Sequence, residues 1–468
     1  MIIKTPIIPI KQTFAKVDAP HDLHLEAICI FAATGFFLDQ DTYWKDEVVL
    51  PAASICELDA DGVLQSVTPW FTWEPTPSSM SFDAALDAFS ELFKTITAEQ
   101  IGKKPVILPL SGGLDSRTQA IVLKALGADV HAYSYEFENG YPETKIAEQI
   151  AQQCDFPFSS FKIPSGYLWN QIDALADMNG CYSDFCSPRQ LAVLEELKKM
   201  PGVFSLGHWG DVLFDDMGVS KNLTLDEQTD VVIQKIVKRG GLDFAQTLWD
   251  TWDLEGDFKA YFYTRVRDLL KKINIPEDAN TQIRAFKSLY WAPRWTSINL
   301  AVFEAAHPIS LPYYDDRMCA FISSLPEAFL AGRRLQIAYI KKHSPELAQL
   351  TWDFYHPLNL YTYTNYKKKS GFGYRALNSL RYRAKLAMGK TVIQRNWELQ
   401  FLGDENDAAL KGYLFSEDLE TLVPKAVTET IYKQFKTGDS LLYAHRVGML
   451  LVFSVWASNF NNSWIGSD

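Results

Sequence analysis

The sequence predicts an α/β protein: a doubly wound parallel sheet, preceded by a short N-terminal β region and followed by a mostly helical C-terminal half. Three observations carry this reading. Between 105 and 211, short apolar runs alternate with helical patterns. The first run, Val106 to Leu110, enters the small-residue turn Ser111-Gly-Gly-Leu-Asp-Ser116, and a helical pattern carrying Ile121, Val122, Leu123 and Leu126 follows at once. From about 222 onward helical periodicity dominates.

Taken in order, residues 1–75 read as short strands joined by turns. Alternation and β-branched residues favour strands over 26–38, 46–50 and 54–68, with Asp59-Ala-Asp-Gly62 as a turn. Trp73 to Ser81, with Pro75, Pro77 and three Ser, reads as a linker. Phe82 to Thr97 is an amphipathic helix with Phe82, Leu86, Phe89 and Phe93 on one face. Strands are then expected near 105–110, 129–135, 157–163 and 202–206, and helices near 116–127, 142–154, 167–178 and 188–199. The expected division is a β-rich region at 1–75, a nucleotide-binding core at 76–220, and a helical part at 221–468 that completes the substrate pocket.

Composition narrows the class. A hydrophobic share of 47% suffices for a large core, and a net charge of −12 argues against general nucleic-acid binding. The six Cys include no Cys-x-x-Cys pair; Cys181 and Cys186 are not at a usual zinc spacing, so reduced structural thiols are expected. The N-terminus lacks a signal-peptide pattern, and no run is read as approaching the roughly 20 apolar residues that cross a bilayer. The expectation is a cytoplasmic protein. One basic stretch breaks the acidic balance: Lys367-Lys-Lys369, then Arg375, Arg381, Arg383, Lys385 and Lys390. It reads as a solvated face or as a patch for an anionic substrate.

The turn at 111–116 carries the chemistry. Gly112 and Gly113 let backbone lie against a ligand. Ser111 and Ser116 add hydroxyls, and the new helix adds free N–H groups and its positive dipole end, which together hold an anion, most often phosphate. Asp115 would repel phosphate unless Mg²⁺ sits between them. The loop therefore suggests metal-bridged pyrophosphate, from ATP cleaved between its α and β phosphates. A second turn, Gly207-His-Trp-Gly-Asp211-Val-Leu-Phe214, ends the strand at 202–206. In a doubly wound sheet that end opens on the same crevice, which makes Asp211 a second carboxylate for the Mg²⁺.

The string Ser111-Gly-Gly-Leu-Asp-Ser116 resembles the pyrophosphate loop of the ATP-pyrophosphatase superfamily. With Asp211 and Phe214 the resemblance sharpens to the asparagine synthetase family, whose later turn ends Asp-Glu-x-Phe-Gly-Gly. Here Asp211-Val-Leu-Phe214-Asp-Asp216 keeps the Asp and the Phe and lacks the Glu and both Gly. Pro312-Tyr-Tyr-Asp315 is similar to that family's Pro-Phe-Leu-Asp, and residues 42–62 look like the end of its glutaminase domain. The resemblance implies a glutaminase nucleophile directly after Met; this chain has Ile2 there, and its first Cys is Cys29.

The resemblance implies an ATP-dependent ligase that adenylates a carboxylate and couples it to ammonia or an amine, without glutaminase activity. Ser111, Gly112, Gly113, Leu114, Asp115 and Ser116 would bind pyrophosphate; Leu110, Ser134, Leu206 and Gly207 would form the adenine side; Asp115 and Asp211 would hold Mg²⁺. His208 occupies the position where relatives carry an acidic or phenolic catalytic residue, and could serve as general base. Arg117, at the helix start, is expected to reach phosphate or the substrate carboxylate. Relatives also use a Lys beside the acyl group, for which Lys367, Lys368 and Lys369 are candidates. A homodimer, with no nucleic acid and no membrane insertion, completes the expectation. Amide formation on a sugar acid, intramolecular cyclisation, and a non-catalytic nucleotide-binding homologue are the alternatives.

Overall fold

A computed structural model describes residues 1–73, 78–140, 142, 144–365 and 393–465, with side chains as far as 459. The N-terminal region holds five short strands. β1 (Ile2–Lys4), β4 (Ser54–Leu58) and β5 (Leu64–Pro69) form an antiparallel sheet in the order β1-β4-β5, and β2 (Phe14–Lys16) pairs with β3 (Glu47–Val49). Between β2 and β3 the expectation of a strand over 26–38 is corrected: Leu25–Thr34 is a helix, α1, ended by Gly35 at φ 80°. Every residue from Ala27 to Thr34 is buried. An apolar run buried on all sides shows neither a twofold nor a 3.6-residue period, so its β-branched content misleads.

Helix α2 (Phe82–Ile101) starts on Ser81, whose hydroxyl accepts from Ala84 N–H at 3.2 Å. It buries Leu86, Phe89 and Phe93 as their spacing predicts, while Phe82 is partly exposed. Each fully buried Phe contributes roughly 1.5–3 kcal/mol. The core sheet follows, with β6 (Val106–Pro109), α3 (Asp115–Ala125), β7 (Val130–Phe137), α4 (Thr144–Cys154) and β8 (Phe158–Ile163). The expected helices near 167–178 and 188–199 each open as a 3₁₀ turn before α5 (Ile172–Asn179) and α6 (Leu194–Lys198). β9 (Val203–Ser205) completes the expected strands.

The sheet has one strand more than expected. β10 (Ile309–Ser310) lies in the helical half and pairs in parallel with β9, so the order is β10-β9-β6-β7-β8, all parallel. Two residues are too few to show a period. Gln100 Oε1 fixes this strand's end by accepting from Leu311 N–H and Ser310 Oγ, both at 2.9 Å.

The remainder is mostly helical. The closing helix, Ser440–Ile465, corrects the reading of apolar run length: 440–459 has the length and mean hydropathy (1.3) of a membrane-crossing helix. It is 67% buried, with Val447, Leu450 and Phe453 in the second of two large cores, as a central helix of a globular fold would be. All six Cys are free, and five are buried.

Candidate active site

The loop at 111–116 leaves β6 at its carboxyl end and closes on its own serines. Ser111 N–H donates to Ser116 Oγ at 3.1 Å, the two hydroxyls are 3.0 Å apart, and Gly113 N–H donates to Ser111 Oγ at 3.3 Å. Gly112 is required sterically: a Cβ there would lie 2.6 Å from Cβ of Asp353, whose N–H also donates to Gly112 O at 3.2 Å. Gly113 faces only Ser111 Oγ, at 3.2 Å.

The second turn is shaped around Asp115. A Cβ on Gly207 would lie 2.9 Å from Asp115 Cβ, and one on Gly210 would collide with the Asp115 carboxylate. Between them Trp209 takes a left-handed conformation at φ 76°, which a non-glycine residue adopts at a cost of about 1–3 kcal/mol. Its Nε1–H donates to Ser288 Oγ at 3.1 Å. Gln119 ties the two motifs together, donating to Leu206 O at 3.1 Å and accepting from Ser205 Oγ at 2.7 Å. Phe214 is fully buried, edge-on to Phe89 and Tyr313 at 5.0 and 5.6 Å. Arg284 holds the turn from below, donating to Val212 O at 3.3 Å and pairing with both oxygens of Glu327 at 2.8 Å.

Asp115 is the electrostatic centre. Arg333 forms an ion pair with its Oδ1, and Gln336 Nε2 donates to the same oxygen at 2.9 Å. Burial raises the Asp115 pKa, Arg333 opposes that, and the nearby Asp211 raises it further. Asp211 itself is exposed.

These parts surround a crevice of about 620 Å³ beyond the carboxyl ends of the strands. Leu110, Ser111, Gly112, Asp115, Ser116, Ser134, Gly207, His208 and Asp211 line it. Gly113 and Leu114 do not; the Leu114 side chain is in the core, so only its backbone could serve a ligand. Leu206 is also buried away from the crevice. Arg117 departs from the expected role. It is fully buried and donates to four carbonyl oxygens: Leu347 and Gly112 at 2.9 and 3.2 Å, Leu350 at 3.3 Å and Thr351 at 2.8 Å. It faces protein backbone instead of phosphate because the first turn of α3 points it under the loop. Asp315 caps the helix Asp316–Ser323, accepting from Arg317 N–H at 3.0 Å.

Several side chains at the site were not visible in the sequence. Lys287 lines the crevice within a π-helix, Lys287–Thr296, with its ammonium 5.0 Å from the Trp291 ring and 5.8 Å from that of Trp209. Burial lowers its pKa to about 8, against the pull of Asp211. Arg333, Gln336 and Asp353 come from a segment 218 or more residues away from the loop. Only the π-helix bulge leaves a hint, as Pro293 inside an otherwise helical run. Lys367, Lys368 and Lys369, and the basic stretch they begin, lie outside the described residues.

His208 stands between this crevice and a second chamber of about 450 Å³. Its ring is enclosed, edge-on to Phe303 at 5.8 Å, and its Nδ1 has no hydrogen-bond partner. Burial pushes its pKa down to about 4, so the ring is neutral at pH 7. The chamber beyond presents Arg189, Asp184, Asn299, Asn396, Trp295 and Trp397. Two of its atoms, Trp295 Nε1 and Asn396 Oδ1, are buried and unpartnered. Such groups are rare in finished structures and commonly await a ligand or water.

Among the described residues, no cluster of three or more His, Cys, Asp or Glu assembles. Two carboxylates on one crevice instead fit Mg²⁺, which takes one or two protein carboxylates and completes its shell with water and phosphate oxygens.

A parallel sheet with a Gly–Ser anion loop and two carboxylates at its carboxyl edge is the layout of a protein that handles a nucleoside polyphosphate. Residues 88–292 match the family model for asparagine synthase, so over that stretch the chain is similar to a family of ATP-dependent amide-forming ligases. No curated protein matches the chain.

Proposed function

We propose that this protein adenylates a substrate carboxylate with ATP, releases pyrophosphate, and transfers the acyl group to ammonia or an amine. One observation carries the reading: the loop Ser111–Ser116 and the turn bearing Asp211 meet at a single crevice, which opens past His208 into a second polar chamber. The first space suits ATP and the second suits the carboxylate substrate.

In this reading the hydroxyls and N–H groups of 111–116 bind the β and γ phosphates. Leu110, Ser134 and Gly207 form the nucleoside side. Asp115 and Asp211 would hold Mg²⁺, which when bound neutralises phosphate charge as the carboxylate attacks. Lys287 adds a second cation to that wall. Arg333, which pairs with Asp115, opposes the rise that burial gives the Asp115 pKa and aims the carboxylate before ATP arrives. His208, neutral at working pH, accepts the proton of the attacking amine, and Asp211 nearby favours the protonated ring.

Glutamine is not expected as the direct nitrogen donor. Ile2 replaces the thiol that should follow Met1, and Cys29 is fully buried with its thiol pKa pushed up by burial. The second chamber favours a carboxylate substrate larger than a small amino acid. Trp295 and Trp397 offer ring faces, and Asn299 and Asn396 offer amides, which suits a sugar acid.

The test is a screen of carboxylates for substrate-dependent exchange of labelled pyrophosphate into ATP, with ammonium as acceptor for turnover. AMP and pyrophosphate are the expected products. ADP and phosphate would overturn the assignment.

A further inference from the structure

A separate cleft of about 320 Å³ lies between the N-terminal region and the helical half. Its walls come from the segment 3–13, from 49–54 and 67–73, and from the π-helix Lys287–Thr296. No residue lining it lines the crevice.

Three of its lining residues carry a buried donor with no hydrogen-bond partner: Gln12 Nε2, Trp73 Nε1 and Arg294 Nη1. Trp73 is 3% exposed and Arg294 2%. No lining residue carries an unpartnered buried side-chain acceptor. Unmet donors on one wall call for an acceptor, since an unsatisfied buried donor costs about 1–3 kcal/mol. Charge then selects the acceptor. Arg294 donates through Nε to Phe37 O at 3.3 Å and through Nη2 to Asp41 O, so its hydrogen bonds go to neutral carbonyls and none to a carboxylate. Lys4, Lys11 and Lys272 add three cations to the lining against its single carboxylate, Asp39, with Asp41 and Glu47 also near Arg294. The rest of the wall is largely apolar, with Pro6, Leu50, Phe71, Leu289 and Pro293.

The π-helix connects this cleft to the active crevice. It gives Leu289, Tyr290, Pro293 and Arg294 to the cleft, and Lys287, Trp291, Trp295 and Thr296 to the crevice. A ligand that grips Arg294 therefore pulls on the element that carries Lys287.

We propose that the cleft is an effector site for a small organic carboxylate with an apolar body, held by Arg294, Trp73 and Gln12, and that its occupancy changes ATP affinity through the shared π-helix. The proposal does not depend on the ligase reaction, because binding at the cleft needs no turnover.

The test uses the full chain and 4-fluorobenzoate, followed by ¹⁹F NMR and calorimetry. Saturable one-to-one binding is expected. Trp73→Phe and Gln12→Leu should each weaken it about 10-fold, the weight of one hydrogen bond to a charged group. Both variants should melt no lower than the parent without ligand, since each removes a donor that the fold leaves unmet. 4-Fluorobenzamide should bind at least about 10-fold more weakly. Absence of saturable binding up to about 10 mM, equal binding of the amide, or binding indifferent to both substitutions would overturn the site. ATP affinity, measured with and without saturating 4-fluorobenzoate, should shift about fivefold or more, with the reciprocal shift in benzoate affinity. An unchanged ATP affinity would overturn the coupling and leave the binding site standing.

Discussion

The two walls of the crevice are built in opposite ways. One wall is local: six consecutive residues, Ser111 to Ser116, form a loop closed by their own hydroxyls and backbone. The other is assembled from distance: Asp211, Lys287, and the pair Arg333 and Gln336 come from three separate segments and meet only in the folded chain. The local wall matches, at all six positions, the pyrophosphate-loop pattern it resembles. The assembled wall carries the departures at the crevice, among them His208 and the missing Glu and Gly-Gly after Asp211. Chemistry common to a family thus resides in backbone geometry, and what distinguishes this chain resides in side chains placed by tertiary packing.

The largest test of this contrast is Asp115→Asn, at the one residue both walls share. If Asp115 helps hold Mg²⁺, pyrophosphate–ATP exchange should fall about 10³-fold, the weight of several kcal/mol of lost charge stabilisation. Exchange within a fewfold of the parent would remove Asp115 from the metal site. His208→Ala probes the assembled wall alone. Amide formation should slow about 10²-fold, the low end for a general base, because a conjugate acid near 4 makes a weak one. Exchange should change far less. A parallel fall in both would make His208 a binding residue.

Arg333→Met asks what holds Asp115 before ATP arrives. Removing one partner of a buried pair costs about 3–5 kcal/mol; with Asp115 keeping 23% side-chain exposure, about 2 kcal/mol is expected in urea unfolding. No loss would mean that Gln336 suffices to hold the carboxylate. The smallest effect is acid sensitivity. His208 and His445 both have folded pKa values near 4, below the ordinary 6.5, because each is enclosed. As pH falls from 6.5 towards 4, the unfolded chain takes up protons that the folded chain refuses, so stability declines. The two together contribute up to about 2.7 kcal/mol per pH unit. His208→Asn should halve that slope in urea titrations at pH 7 and pH 5; an unchanged slope would mean His208 protonates freely in the folded state.

The sequence disclosed what is local. The four expected core strands and the helices between them were legible because apolar runs and glycine turns mark them directly. Region 25–34 was misread because a helix buried on every side loses its period. β10 was missed because two residues carry no pattern, although they complete the sheet. At the site, Asp115 and Asp211 were legible from their turns, whereas Lys287 and Arg333 were not, since nothing in a chain announces which distant cation will fold onto a carboxylate. Arg117 was misassigned for the same reason: its position suggested phosphate, and its partners lie in 347–351.

Those partners have a consequence for how the protein is made. Arg117 fastens Gly112 to backbone that follows it by 230 to 234 residues. On a ribosome adding about 5–20 residues per second, the anchoring stretch emerges roughly 10–50 s after the loop itself. Until then the guanidinium has no carbonyls from that stretch to grip, and the loop lacks its support. In a nascent chain the loop would therefore stand without this anchor until residues 347–351 have emerged.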